Sequence, residues 1–306
     1  MSKRPNFFII GAPKCGTTSL ARWLAEHPNV YMSPMKEPHF FCSDFNVALI
    51  PNQAEYYRLF RKAGDQHIAI GEASTSYLYS QVAVPRIEQE LPGSKYIVMV
   101  RNPVEMAVSL HEEFLFLGAE HIRDFETAWR LSPERRAGRM VNRWCSEPRW
   151  LDYQSVCRLG EQLERLFSVV PRERVLVLVL DDLKENPRRE YLKVLDFLGV
   201  SDDGRQEFPV KNPAKERRWP GLYIGIRLIG RASRKMKQLL GIPTNRGTGI
   251  LKAMSNINVR YRPRPPLSMQ LRKELIEYFR ADVEKLSRLI DRDLNHWLSC
   301  PEEAIT

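Results

Sequence analysis

The sequence predicts an α/β fold, a parallel sheet flanked by helices, carrying a basic insertion and a C-terminal packing helix. Short apolar runs at 7–10, 68–70, 96–100 and 175–180 are each followed by a segment of helical spacing, and a glycine-bracketed turn follows the first run directly. Strands alternating with helices are the pattern of parallel sheets, because each crossover has to carry the chain back across the sheet face. Four consecutive apolar residues, Phe7-Phe8-Ile9-Ile10, suit a strand buried on both faces. Helices are expected at 17–26, 54–62, 84–90, 104–116, 159–169 and 188–198, several with apolar residues three and four apart. The stretch 209–266 breaks the alternation with scattered Pro, Gly and basic residues, so it reads as an insertion or lid within one domain spanning 1–306. Leu271, Leu275, Phe279, Val283, Leu286 and Ile290 then lay one apolar stripe along a closing helix.

With 306 residues and 43% hydrophobic content the chain buries a full core, which excludes disordered and fibrous classes. Its formal net charge of +10 is local. Between Lys211 and Arg264 there are 14 Lys and Arg against the single acid Glu216, a net +13, so the remainder carries about −3. An anionic partner is implied there. The five cysteines are scattered, odd in number and without a C-x-x-C pair, which fits neither a disulfide framework nor a zinc site and points to a reducing compartment. The apolar run 7–10 is too short for a secretory leader and no stretch approaches the roughly 20 apolar residues of a membrane span. A cytoplasmic protein, at most peripherally attached to a membrane, is the expectation.

Gly11-Ala-Pro-Lys-Cys-Gly-Thr-Thr-Ser-Leu20 stands between the first strand and the first helix. Backbone N–H groups and the helix dipole converge on an anion at such a turn, a P-loop-like arrangement. The common nucleoside-triphosphate loop, G-x-x-x-x-G-K-[ST], needs lysine directly after the second glycine and then a hydroxyl for Mg²⁺. Thr17 occupies that lysine position here, and the lysine has moved inside the turn as Lys14. Cys15, Gly16, Thr17, Thr18 and Ser19 complete the cradle.

Pro13-Lys-Cys-Gly-Thr-Thr-Ser19 and Tyr96-Ile-Val-Met-Val-Arg-Asn-Pro-Val-Glu-Met-Ala-Val-Ser109 together resemble the two nucleotide motifs of the sulfotransferases that use 3′-phosphoadenosine 5′-phosphosulfate (PAPS). The likeness is to the heparan sulfate and bacterial branch. It implies that the loop holds the 5′-phosphosulfate, with Lys14 stabilising charge on the leaving nucleotide, and that Arg101 and Ser109 hold the 3′-phosphate. PAPS is then the co-substrate and no metal is expected. Met35-Lys-Glu-Pro-His-Phe-Phe41 is similar to the Lys-Glu-x-x-Phe-Phe segment of the glycan-modifying branch, which implies that Glu37 is the general base on an acceptor hydroxyl. Gly71-Glu-Ala-Ser-Thr-Ser-Tyr77 is similar to a segment lining the acceptor cleft, although Ala73-Ser74 stand where relatives often show lysine or proline. Lys36, His39, Glu72, Ser74 and Tyr77 are accordingly candidate acceptor contacts. His39 and His111 compete with Glu37 for the base, since imidazole is best matched to proton transfer at neutral pH.

The basic segment keeps three readings. Lys215, Arg217 and Arg218 fall where relatives close a loop over the nucleotide. Leu222, Tyr223, Ile226, Leu228 and Ile229 alternate with Arg227, Arg231, Arg234, Lys235 and Lys237, the composition of an amphipathic helix for anionic lipid or acidic glycan. A solvated basic face is the third. The acceptor is expected to be a hydroxyl of a glycan, glycolipid or small metabolite. Two rival functions remain: a Mg-ATP-dependent kinase, suggested by the apolar strand ending in Asp181-Asp182, and a basic nucleic-acid-binding protein, for which no helix-turn-helix, zinc-finger or RNA-binding signature speaks.

Overall fold

The computed structural model describes residues 3–47, 50, 52–209, 215–217, 259–261 and 266–300. The chain forms two compact units, one of Met1–Ala107, Tyr153–Lys211 and Ser268–Thr306, the other of Val108–Asp152 and Asn212–Leu267.

The first unit is the expected parallel sheet. Strands β1 (Phe7–Gly11), β2 (Val30–Met32), β3 (Ala69–Ala73), β4 (Lys95–Val100) and β5 (Val175–Val179) are ordered β2-β3-β1-β4-β5. All the pairings are parallel, with Ile9 opposite Ala73 on one side and Ile97 on the other. Every residue of β1 is buried, as its unbroken apolar run requires. The chain leaves β1 toward β2 and β3, then returns across it to β4, so the end of β1 lies where the winding reverses. Ligands of open parallel sheets bind at such a point, beyond the carboxyl ends of the strands.

Helices α1 (Thr17–Ala25), α2 (Gln53–Arg58), α3 (Ala83–Glu90) and α4 (Pro103–Leu117) follow the first strands, close to their expected positions. In the first unit α7 (Tyr153–Val156), α8 (Leu159–Val169), α9 (Leu180–Glu185), α10 (Pro187–Leu198) and α11 (Met269–Ile290) complete the set. Leu180, expected at the end of a strand, opens α9 instead. Helix α11 buries Leu271, Leu275, Phe279, Val283 and Leu286 as the stripe required, with Ile276 added and Ile290 only half-buried. Each such side chain contributes about 1.5–3 kcal/mol relative to exposure. One polar residue interrupts the stripe: the Asp282 carboxylate accepts from the backbone N–H groups of Gly160 and Glu161, both at 2.9 Å, and so caps α8 from another helix.

The second unit takes in the later turns of α4, then α5 (Phe125–Arg130) and α6 (Ser132–Arg136). The Asp124 side chain caps α5 by accepting from Thr127 N at 2.8 Å. Its interior holds an ion pair, Arg135 to Glu120 at 2.7 Å, with both side chains fully buried. Strands β6 (Lys215–Arg217) and β7 (Val259–Tyr261) pair antiparallel, Glu216 opposite Arg260. The amphipathic stretch 222–237 lies outside the described residues. Among the described residues no helix is long and apolar enough to cross a membrane.

Candidate active site

The glycine-bracketed turn runs from the end of β1 into α1. Gly16, the N-cap of α1, has φ 91° and offers no capping side chain, so the helix opens with its first amides uncapped by a side chain. A Cβ at Gly16 would stand 3.0 Å from Leu180 Cδ1, a contact that the end of the leucine has to yield to, so the positive φ is the main reason for glycine there. Gly11 is equally confined: a Cβ there would meet Leu78 Cβ at 2.9 Å and the Thr75 carbonyl at 3.1 Å. Along the turn exposure alternates, with Lys14, Gly16 and Thr18 partly accessible and Cys15, Thr17 and Ser19 buried. Lys14 holds φ 63°, an uncommon conformation for a residue with a side chain, and its carbonyl accepts from Arg101 Nη1 at 3.0 Å. Arg101 therefore stands at the turn that carries Lys14. Burial pushes the Cys15 thiol up to about 12 despite the nearby Arg101 and Lys14 charges, which removes it as a nucleophile.

The 36–41 segment lies over the end of β3. Glu37 N donates to the Ala73 carbonyl at 2.8 Å, and both Glu37 and His39 have positive φ, 59° and 51°. The Glu37 carboxylate accepts from Lys36 Nζ at 2.8 Å and Thr75 Oγ1 at 3.3 Å, and His39 Nε2 stands 3.4 Å from it. Burial alone would raise its pKa, but His39 and Lys36 outweigh that and hold the carboxyl at about 2. Lys36 is exposed, Glu37 half-buried and His39 buried. Thr75, which sequence reasoning passed over, is the structural link: its hydroxyl reaches Glu37 while its carbonyl lies against Gly11, the first residue of the phosphate loop. A hydroxyl residue just beyond a strand that neighbours the loop strand was the available signal.

Glu72, Ser74 and Tyr77, expected as acceptor contacts, have their side chains inside the fold and bonded to one another. The Glu72 carboxylate accepts from Ser74 Oγ at 2.7 Å, Tyr77 Oη at 2.7 Å and Tyr56 Oη at 3.0 Å. Burial raises its pKa, and the three hydroxyl donors oppose the rise.

Ser109 and His111 belong to the second unit, eight and ten residues past Arg101 along the chain. Both are buried. His111 Nε2 lies 2.8 Å from the Ile122 carbonyl and the ring packs edge-on to Phe125. Burial lowers its pKa, with the Ile122 contact opposing. Lys215 and Arg217 lie on β6, and Arg218 is outside the described residues. Asp181, the carboxylate that suggested a magnesium strand, accepts from Trp297 Nε1 at 2.8 Å and pairs with Lys184, while Asp182 accepts from Arg292 at 2.9 Å.

Residues 4–212 match the family model described as the sulfotransferase domain, so the chain belongs to that family. Among curated proteins it is 27% identical over 270 residues to carbohydrate sulfotransferase 15 of Mus musculus, an alignment covering 71% of this chain and 48% of the relative. It is 30% identical over 199 residues to heparan sulfate glucosamine 3-O-sulfotransferase 3B1 of Homo sapiens, covering 64% and 46%. The chain thus spans about half the length of the curated relatives it matches. A solved sulfotransferase from Alicyclobacillus acidocaldarius superposes with a TM-score of 0.71 at 29% identity, covering 97% of this chain and 100% of that one. The family resemblance and the α/β fold expected from the motifs are borne out, and the matches favour that reading over the kinase and nucleic-acid alternatives.

Proposed function

We propose that this chain is a PAPS-dependent sulfotransferase acting on a carbohydrate hydroxyl, with Glu37 as general base. The observation that supports the reading most is Thr75, whose hydroxyl donates to the Glu37 carboxylate at 3.3 Å while its carbonyl lies near Gly11, where the glycine-bracketed turn begins. Glu37 takes the acceptor's proton, the acceptor oxygen forms the new bond to sulfur, and the bond from sulfur to the bridging oxygen breaks to leave the bisphosphate nucleotide. Lys14 and the uncapped amides of α1 face the charge that develops on that oxygen. Arg101 is assigned to the 3′-phosphate together with Ser109, and its bond to the Lys14 carbonyl couples the two nucleotide contacts.

A carboxyl held at about 2 is fully ionised at neutral pH but is a weak base. Lys36 is exposed and pairs with Glu37 at 2.8 Å. An anionic donor or acceptor that draws Lys36 away raises the basicity of Glu37 at the moment it is needed. His39 is then a partner of the carboxylate, and His111, buried against Ile122, keeps a packing role. The carbohydrate acceptor is supported by the Lys36-Glu37 motif and by the names of the relatives. A reducing, cytoplasmic location is part of the reading, on the odd number and wide scatter of the cysteines along the sequence.

Thermal shift with the bisphosphate product of PAPS tests the nucleotide assignment. Stabilisation without Mg²⁺ supports it; stabilisation by ATP that requires Mg²⁺, with none from the bisphosphate, overturns it.

A further inference from the structure

Glu72 is buried on β3 with no exposed surface, yet three hydroxyls converge on it. Two of the three continue outward to the same place. Ser74 Oγ donates to Glu72 Oε2 and accepts from the His39 backbone N–H at 3.1 Å. Tyr77 Oη donates to Glu72 Oε1 and accepts from the Phe41 backbone N–H at 3.4 Å. The third, Tyr56, donates to Glu72 Oε1, and its ring stacks on Phe40 at 4.5 Å. Its hydroxyl has no such bond to the 37–41 backbone.

A hydroxyl that must accept an outward N–H turns its own proton inward, and the acceptor at the inner end has to take all such protons at once. A carboxylate provides up to four acceptor sites; a carboxamide in its place presents an NH₂ to one of the hydroxyls and reverses that link. The segment being held is one that needs holding, since Glu37 and His39 both sit at positive φ, a region uncommon for residues with side chains. Resting on the sulfotransferase reading above, we infer that Glu72 is a positioning residue: through Ser74 and Tyr77 it fixes the backbone at His39 and Phe41 and thereby the direction in which the Glu37 carboxylate faces the acceptor.

The chemistry lends itself to a matched comparison. Ser74→Ala and Tyr56→Phe each remove one hydroxyl from Glu72, but only the first cuts a link to the His39 backbone, and Tyr56→Phe keeps the ring that stacks on Phe40. Hydrogen exchange of the 36–43 peptide, read by mass spectrometry on the full chain, reports the hold on the segment without needing an acceptor. Transfer of labelled sulfate from PAPS to N-sulfated heparosan oligosaccharide, split into kcat and KM, reports the catalytic consequence. The expected result is faster exchange in 36–43 for Ser74→Ala and Glu72→Gln, with Tyr56→Phe like the parent chain, together with a 10- to 100-fold loss of kcat at unchanged KM for PAPS in the first two. Equal exchange and equal kcat in Ser74→Ala and Tyr56→Phe overturns the positioning role and leaves Glu72 an ordinary buried polar group. If the oligosaccharide is not sulfated even by the parent chain, the acceptor reading has failed, and the exchange comparison still decides whether the relay holds the segment.

Discussion

Replacing Glu37 by glutamine removes one charge and almost no volume, so its consequences separate chemistry from folding. The carboxamide oxygen still accepts from Thr75 Oγ1, while the ionic contacts to Lys36 at 2.8 Å and His39 at 3.4 Å are lost. Glu37 is half-buried and its partner Lys36 exposed, so the loss in stability is under about 1 kcal/mol. The loss in rate is larger, because a positioned general base contributes roughly 10²- to 10⁴-fold, equivalent to about 3–5 kcal/mol of barrier. The assay is steady-state transfer of labelled sulfate, with the apparent affinity for the bisphosphate nucleotide measured in parallel. The account predicts a fall in kcat within that range and an unchanged nucleotide affinity. The pH dependence follows from the same contacts: the folded pKa of about 2 lies below the ordinary 4.5, so the stabilisation from ionised Glu37 is complete above the unfolded value and lost as pH falls through about 2. The acid limb of kcat/KM owed to this group therefore lies below about pH 4. Near-normal turnover in Glu37→Gln, with His111→Ala abolishing activity in a protein that remains folded, would refute the assignment of the base.

Other substitutions give separate readings. Lys14→Ala removes the charge facing the leaving oxygen and lowers kcat about 10²- to 10³-fold, the size of one lost oxyanion donor, in the same labelled-transfer assay. Gly16→Ala forces a side chain into φ 91° with its Cβ 3.0 Å from Leu180, and weakens nucleotide binding in calorimetry by at least tenfold while leaving the far-ultraviolet spectrum of the fold intact. Asp282→Ala strips one buried and one part-buried N–H group of α8 of their charged acceptor and costs about 1–3 kcal/mol in urea unfolding. Asp282→Asn, which retains an acceptor, costs less.

The sheet was legible wherever burial leaves a simple pattern. The run Phe7–Ile10 is apolar because both faces of its strand are covered, the 175–180 run is apolar although Val175–Val177 at the sheet edge are only half-buried, and the α11 stripe is apolar at helical spacing because one face is covered. Strand β2 escaped notice because three residues, Val30–Met32, carry no period. Helices α5 and α6 were not expected: each is only five or six residues long, and the buried set around them includes the ion pair of Arg135 with Glu120, whose residues read as surface charges in one dimension. At the candidate site, the turn with Lys14 is legible as a local motif because its residues are contiguous between β1 and α1. The motif 71–77 marks Glu72, Ser74 and Tyr77 as residue types suited to an acceptor but does not say which way a side chain on β3 or in the turn after it faces, and all three face inward. Thr75 is not legible for the complementary reason: its two neighbours come from distant parts of the chain, Gly11 through the pairing of β1 with β3 and Glu37 through its N–H bond to the Ala73 carbonyl.

Incubation with sulfur-labelled PAPS and a set of glycosaminoglycan oligosaccharides, in the presence of a chelator, tests the central claim most directly. The account predicts label in a carbohydrate product and an equal quantity of bisphosphate nucleotide, both abolished together in the Lys14→Ala and Glu37→Gln double variant. Nucleotide release without label in any acceptor, or label transfer undiminished in that variant, would contradict it.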